Sequence, residues 1–206
     1  VCGRVWLCPV CAAKIAERRR QELRDAIKAA IAMGMRVYFV TLTVKHGIGD
    51  DLNDLITKQA AALKRLSNGK HSVKNQIRTV YAAIGEDTPE IHGFIRAFEV
   101  THGENGFHPH FHLLVFTDKR LCGSILHYVY QRSWKRACLL AGLPEPSDEH
   151  GVTVQDGSEA AQYVSKWGLE DEMTKAHAKV TKRKGLTPWG MLRAALDGDD
   201  PEYPKD

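Results

Sequence analysis

The sequence lacks the features that would tie it to a membrane or to an oxidising compartment. No apolar run approaches the length of a bilayer span, and no signal-peptide pattern opens the chain, so a cytoplasmic protein is expected. Cysteine is sparse and odd in number: five in 206 residues, three of them at Cys2, Cys8 and Cys11. That distribution speaks for thiols and metal and against a disulfide framework. No internal repeat or low-complexity segment appears, which excludes a repeat architecture. Net charge is slight, +4 with His neutral, and the pI is near 8.8. An initiator methionine is also missing. The chain opens on Val1 and reads as a domain taken from something longer.

What is present suits one good-sized domain with a small appendage. Hydrophobic residues make up 43% and charged residues 26%, enough for a packed core under a charged surface. The charge is unevenly placed. Arg18, Arg19 and Arg20 mark one end; Lys175, Lys179, Lys182, Arg183 and Lys184 mark the other, before an acidic stretch at 197–206. Separated basic patches suit a polyanionic partner, although a solvated charged face has the same composition.

The stretch 93–117, GFIRAFEVTHGENGFHPHFHLLVFT, organises the rest. Two alternating apolar runs flank a short polar link, His102 to Gly106, and predict a β-hairpin. On the second arm His108, His110 and His112 fall on every second residue and so share one face. Phe107, Phe111, Leu113 and Val115 take the other. Glu99, on the first arm, is expected opposite or diagonal to His110. Two imidazoles and a carboxylate on one rigid surface make a divalent-metal site. Solvated strand histidines give the same alternation in a chain with ten histidines.

Around this hairpin the chain predicts alternating helices and strands. Cys2, Cys8 and Cys11 lie in CGRVWLCPVC, where a Cys-Pro-x-Cys turn lets two thiolates reach one tetrahedral ion and Cys2 supplies a third. The expected ion is a structural zinc, its fourth ligand upstream of Val1, Cys122, Cys138 or a histidine. A helix is expected over 12–33, with Ile15, Leu23, Ile27, Ala30 and Ile31 as its apolar stripe and Gly34 as its stop. Arg18, Arg19, Arg20 and Arg24 on it can track a phosphate backbone. A central strand follows at 35–45, then a helix at 51–66. The segment 68–90 is hard to read. A helix at 123–141 and a short strand at 152–155 come after the hairpin. In GSEAAQYVSKWGLE, Glu159, Tyr163 and Lys166 then stand along one side of a helix. Thr187-Pro188 opens a last short helix.

These residues carry a family resemblance. The cysteine lead, the strand FVTLTV, the segment HPHFHLLVF and the segment EAAQYVSKW occur in the order found in rolling-circle replication initiators of small bacterial plasmids. Those initiators lie within the HUH endonucleases, and the chain resembles the type with an N-terminal zinc-binding cysteine cluster. The resemblance spans roughly Cys2 to Trp167. It implies an α+β fold, a ferredoxin-like core whose central antiparallel sheet is flanked by helices. The implied division is a cysteine and basic-helix element at 1–34, the nuclease core at 35–170, and a basic helix with acidic tail at 171–206. It also implies that Tyr163 attacks a phosphate of single-stranded origin DNA, with Lys166 nearby. His110 and His112 then hold Mg²⁺ or Mn²⁺ with Glu99 as third ligand, His108 being the competing choice. Glu159 is the candidate base for a terminating hydrolysis, because the third motif holds one tyrosine. Arg18, Arg19, Arg20, Lys182, Arg183 and Lys184 are the expected DNA contacts, and host helicase and polymerase the expected partners. Rival readings are a transposase or relaxase of the same superfamily and a non-catalytic, zinc-bearing DNA-binding module.

Overall fold

The computed structural model describes residues 8–118, 120–156, 186–187, 190–191, 194 and 196. Within them the chain runs α1 (Pro9–Ala32), β1 (Arg36–Thr43), α2 (Leu52–Ser67), α3 (Val73–Ile84), β2 (Ile91–Gly103), β3 (Gly106–Thr117), α4 (Gly123–Leu140) and β4 (Val152–Asp156). The four strands form one antiparallel sheet in the order β2-β3-β1-β4. The architecture is α+β, with helices on both faces of the sheet, and agrees with the core that the family resemblance implies.

Local sequence explains the elements. α1 opens on Pro9, at a position where the missing N–H has no helical partner to lose. Its buried stripe is Ala12, Ala16, Leu23, Ile27 and Ala30, at steps of three, four and seven. α2 is capped by Asp51, whose carboxylate accepts from the Asp54 amide at 2.8 Å. The segment that is hard to read contains α3. Ser72 caps it through the Asn75 amide, and Gly85, at φ 74°, ends it. There the Glu86 amide returns to the Tyr81 carbonyl at 3.1 Å, the closing bond of a Schellman end. Its apolar positions, Val73, Ile77 and Tyr81, are spaced by four and buried. The capping signals are therefore in the sequence, but the many polar residues between them hide the period.

Strand alternation divides the interior in two. Tyr38, Val40 and Leu42 of β1, Phe111, Leu113 and Val115 of β3, and Val152 of β4 face α2, α3 and α4, where they join the larger core. At the centre of that core Trp134 is fully buried. Its indole N–H donates to the Thr43 carbonyl at 2.7 Å, which ties α4 to the end of β1. The opposite face is smaller. Val37, Phe39 and Leu114 meet Leu23, Ile27 and Ala30 of α1. Each such aliphatic side chain withdrawn from water contributes about 1.5–3 kcal/mol, so the three-helix face carries most of the stability.

The hairpin link is shorter than expected. β2 and β3 pair as far as Gly103 and Gly106, so His102 belongs to the strand and Glu104 and Asn105 alone make the turn. Gly106 adopts φ 85°, and a Cβ there would meet the Gly47 carbonyl oxygen at 3.0 Å. The hairpin tip is thus seated on the loop that follows β1. Outside the sheet, the His102 backbone pairs both ways with Leu186, at 2.8 and 2.7 Å.

Candidate metal centre

The site is built by register. β2 and β3 place Glu99 directly across from His110, and β1 and β3 place Thr41 across from His112 and Thr43 across from His110. Because His110 and His112 are two residues apart on one strand, their rings rise on the same face, side by side. Glu99 Oε2 lies 3.0 Å from His110 Nε2 and 3.2 Å from His112 Nε2. All three side chains are buried. One ligand atom from each falls within 4.8 Å of the others, and no other such group of His, Cys, Asp and Glu occurs among the described residues.

The surrounding bonds orient the two rings. His110 Nδ1 faces the His108 carbonyl at 3.2 Å, a group that can only accept, so Nδ1 carries the proton. His110 Nε2 then faces a Glu99 carboxylate oxygen at 3.0 Å, and His112 Nε2 faces the same oxygen at 3.2 Å. A divalent cation bound by all three groups satisfies that arrangement. His112 is fixed similarly. Its Nδ1 bonds the Thr41 hydroxyl at 3.1 Å, and its ring stacks on Phe39 with centroids 5.0 Å apart and planes at 16°. Outer hydrogen bonds that set a histidine's tautomer and direction are the usual support of a metal site.

His108 turns elsewhere. Its Nδ1 meets His46 Nε2, and His46 Nδ1 in turn meets the Asn105 carbonyl at 3.1 Å. Burial first, then the neighbouring His110 and His46 rings, push the His108 pKa down to about 4. His108 is therefore a neutral member of a row of imidazoles, with its nitrogen engaged outside the Glu99 group.

The other sequence-predicted residues divide clearly. Cys8 is half-buried and Cys11 buried at the start of α1, while Cys2 lies outside the described residues. Of the candidate fourth zinc ligands, Cys138 is packed in the larger core and Cys122 is exposed beside the Ser124 hydroxyl at 3.1 Å. The α1 arginines are largely matched by acids of their own helix. Arg18 pairs with Glu22 at 2.9 Å, and Arg20 Nε with Glu17 at 2.8 Å; Arg19 is exposed. Tyr163, Glu159, Lys166, Lys182, Arg183 and Lys184 lie outside the described residues. Sequence reasoning missed His46, Thr41 and Phe39. Their part in the site depends on β1 lying beside β3, and nothing local to those residues signals it.

Residues 1–138 match the family Rep_1, described as replication protein. "Protein rep" of Streptomyces lividans is 30% identical over 93% of this chain and 52% of its own length. A Streptomyces cyanogenus protein named neomycin resistance protein is 33% identical over 72% of this chain and 35% of its own length. "Replication protein" of Staphylococcus aureus is 30% identical over 79% of this chain and 68% of its own. The chain spans about half the length of the first of these relatives and about a third of the second. No solved structure matches.

Proposed function

The chain belongs to the Rep_1 family of replication proteins, and on that premise we propose that it is a metal-dependent endonuclease that nicks single-stranded origin DNA. Its role is to initiate, and to terminate, rolling-circle replication of a plasmid. The observation that carries this reading is the convergence of Glu99, His110 and His112 on one rigid sheet face. Strand-borne donors hold a reacting phosphate to a defined position better than donors on loops. A Mg²⁺ or Mn²⁺ ion held there would offset charge on the non-bridging oxygens of the scissile phosphate.

The covalent step belongs to Tyr163. Its phenolate oxygen bonds to phosphorus as the bond from phosphorus to the 3′ oxygen breaks. The departing oxygen takes up a proton, which leaves a free 3′-hydroxyl and a 5′-phosphotyrosine. Lys166, three residues on in the sequence, adds positive charge near that phosphate. A host polymerase can extend the 3′-hydroxyl while a helicase opens the duplex ahead of it. Glu159, four residues before Tyr163 in the sequence, removes a proton from the water that hydrolyses the last phosphotyrosine bond. Cys2, Cys8 and Cys11 would hold a structural Zn²⁺.

The test is a covalent-adduct gel with pooled single-stranded oligonucleotides and Mn²⁺. A band that survives boiling in detergent, and disappears with EDTA or in Tyr163→Phe, is expected. No band from a pool that contains the cognate origin would leave only the DNA-binding module. For Glu159, the expected result is that Glu159→Ala still forms the adduct but fails to release it. Normal release by that variant removes Glu159 from the scheme.

A further inference from the structure

Charge is shared unevenly between the two layers of helices. α1 mixes its signs, with Glu17, Glu22 and Asp25 among its cations. By contrast, no acidic residue occurs from Leu55 to Gly85, a segment that holds most of α2 and all of α3, although it carries several Lys and Arg. α4 adds Arg132, Lys135 and Arg136, again with no acid. Acidic groups touch this layer at its rim, where Asp54 meets Lys58 at 2.6 Å and Asp148 meets Lys135 at 2.5 Å. The cations between those two pairs make no ion pair among the described residues.

They also converge. α4 packs against both α2 and α3. The Arg65 guanidinium donates to the Leu140 carbonyl at 3.3 Å, and Arg136 donates to the His71 ring at 3.3 Å. Arg132, one turn before Arg136, donates to the Tyr128 hydroxyl at 3.2 Å. Arg65, His71, Lys74, Arg132 and Arg136 are all exposed. Successive arginines of α4 stand about 6 Å apart along the axis. The result is a strip of like charge from Tyr128 along α4 to the link between α2 and α3. Like charges crowded on neighbouring helices cost stability, and a polyanion laid over them offsets that cost by releasing its counterions.

We propose that the outer face of α2, α3 and α4 docks duplex DNA, on the side of the sheet opposite the metal centre. The proposal rests on the nuclease reading for its partner: a protein that cuts a single strand within an origin has duplex on its flanks. A duplex fits this face better than a single strand does. The surface is a layer of basic helices, and Tyr128 is its one exposed aromatic among the described residues of α2, α3 and α4. A single-strand groove relies on several aromatic platforms.

The test measures binding of a random-sequence duplex of about 20 base pairs to the 206-residue chain between about 50 and 200 mM salt. Arg65→Ala, Lys74→Ala, Arg132→Ala and Arg136→Ala are combined in one variant, and Lys replaces the three arginines in another. For each phosphate that the Ala variant no longer neutralises, the slope of log affinity against log salt should flatten by about 0.9. The Lys variant should keep its slope, and adduct formation on a single-stranded oligonucleotide should stay within about twofold in both. An unchanged slope in the Ala variant overturns the proposal. So does a wild-type chain that forms the adduct but binds no duplex. Loss of poly-glutamate binding with duplex binding intact would also overturn it and assign the face to an acidic protein. Duplex binding with the expected slope but no adduct leaves this face standing and removes the nuclease reading instead.

Discussion

The two faces of the sheet are made from the same strands, yet they divide the work. Toward α2, α3 and α4, alternate residues of β1 and β3 are aliphatic or aromatic and close the larger core around Trp134. Toward α1, the next residues along begin with a small apolar cluster and then give way to Thr41, Glu99, His110 and His112. His112 and Leu113 are adjacent in sequence, and both are buried, but they belong to opposite faces. Burial on one side removes apolar surface from water. On the other it holds polar atoms in a low-dielectric site, where each must have a partner. A strand can therefore keep its stability while its chemistry changes, as long as the alternation is preserved.

That contrast can be broken by substitution. The largest expected effect is from His112→Ala, which should lower the adduct formed per folded molecule by about a hundredfold or more. Wild-type nicking by this variant would strip the α1 face of its role. Next is its neighbour, Leu113→Ala, which should cost about 2–5 kcal/mol in denaturant unfolding. The adduct formed per folded molecule should be unchanged; a specific activity that falls in step with His112→Ala would mean that the faces are not separable. Thr41→Val keeps the shape but removes the hydroxyl beside His112 Nδ1. A loss of about 10–100-fold in Mn²⁺ affinity by titration calorimetry is expected, and unaltered affinity would show that His112 needs no such support. The smallest effect is that of Ser72→Ala at the start of α3, about 1 kcal/mol of stability with metal binding untouched.

The sheet is legible because its signals are local. A dense β-branched run gives β1, and the alternation in β2 and β3 fixes which histidines share a face; Glu99 is left opposite or diagonal to His110 until the register of the hairpin places it opposite. α3 is not legible, since Lys74, Asn75, Gln76 and Arg78 interrupt its apolar positions and the end signals at Ser72 and Gly85 stand alone. His46 is hidden for a different reason. It reaches His108 only because the loop after β1 closes on the hairpin tip, a meeting across 62 positions of sequence. The arginines at 18–20 suggest a phosphate track, yet acids one turn away on α1 engage two of them. The cations of α2, α3 and α4 are unremarkable singly, and their significance comes from packing three helices into one layer.

The metal donors have a further property, which concerns the order in which the chain folds. Glu99 and His112 are 13 residues apart on a single hairpin, whereas Thr41 is 71 residues from the histidine that it steadies. A hairpin closes in about 1–10 μs, and pairings that span long stretches of chain form later. A nascent chain would thus present its two imidazoles and carboxylate side by side before β1 and β4 have joined the sheet. Metal available at that moment would bind a half-built site and hold the register of β2 and β3 while the remaining strands arrive. Refolding with and without Mn²⁺ would then differ in rate as well as in final stability.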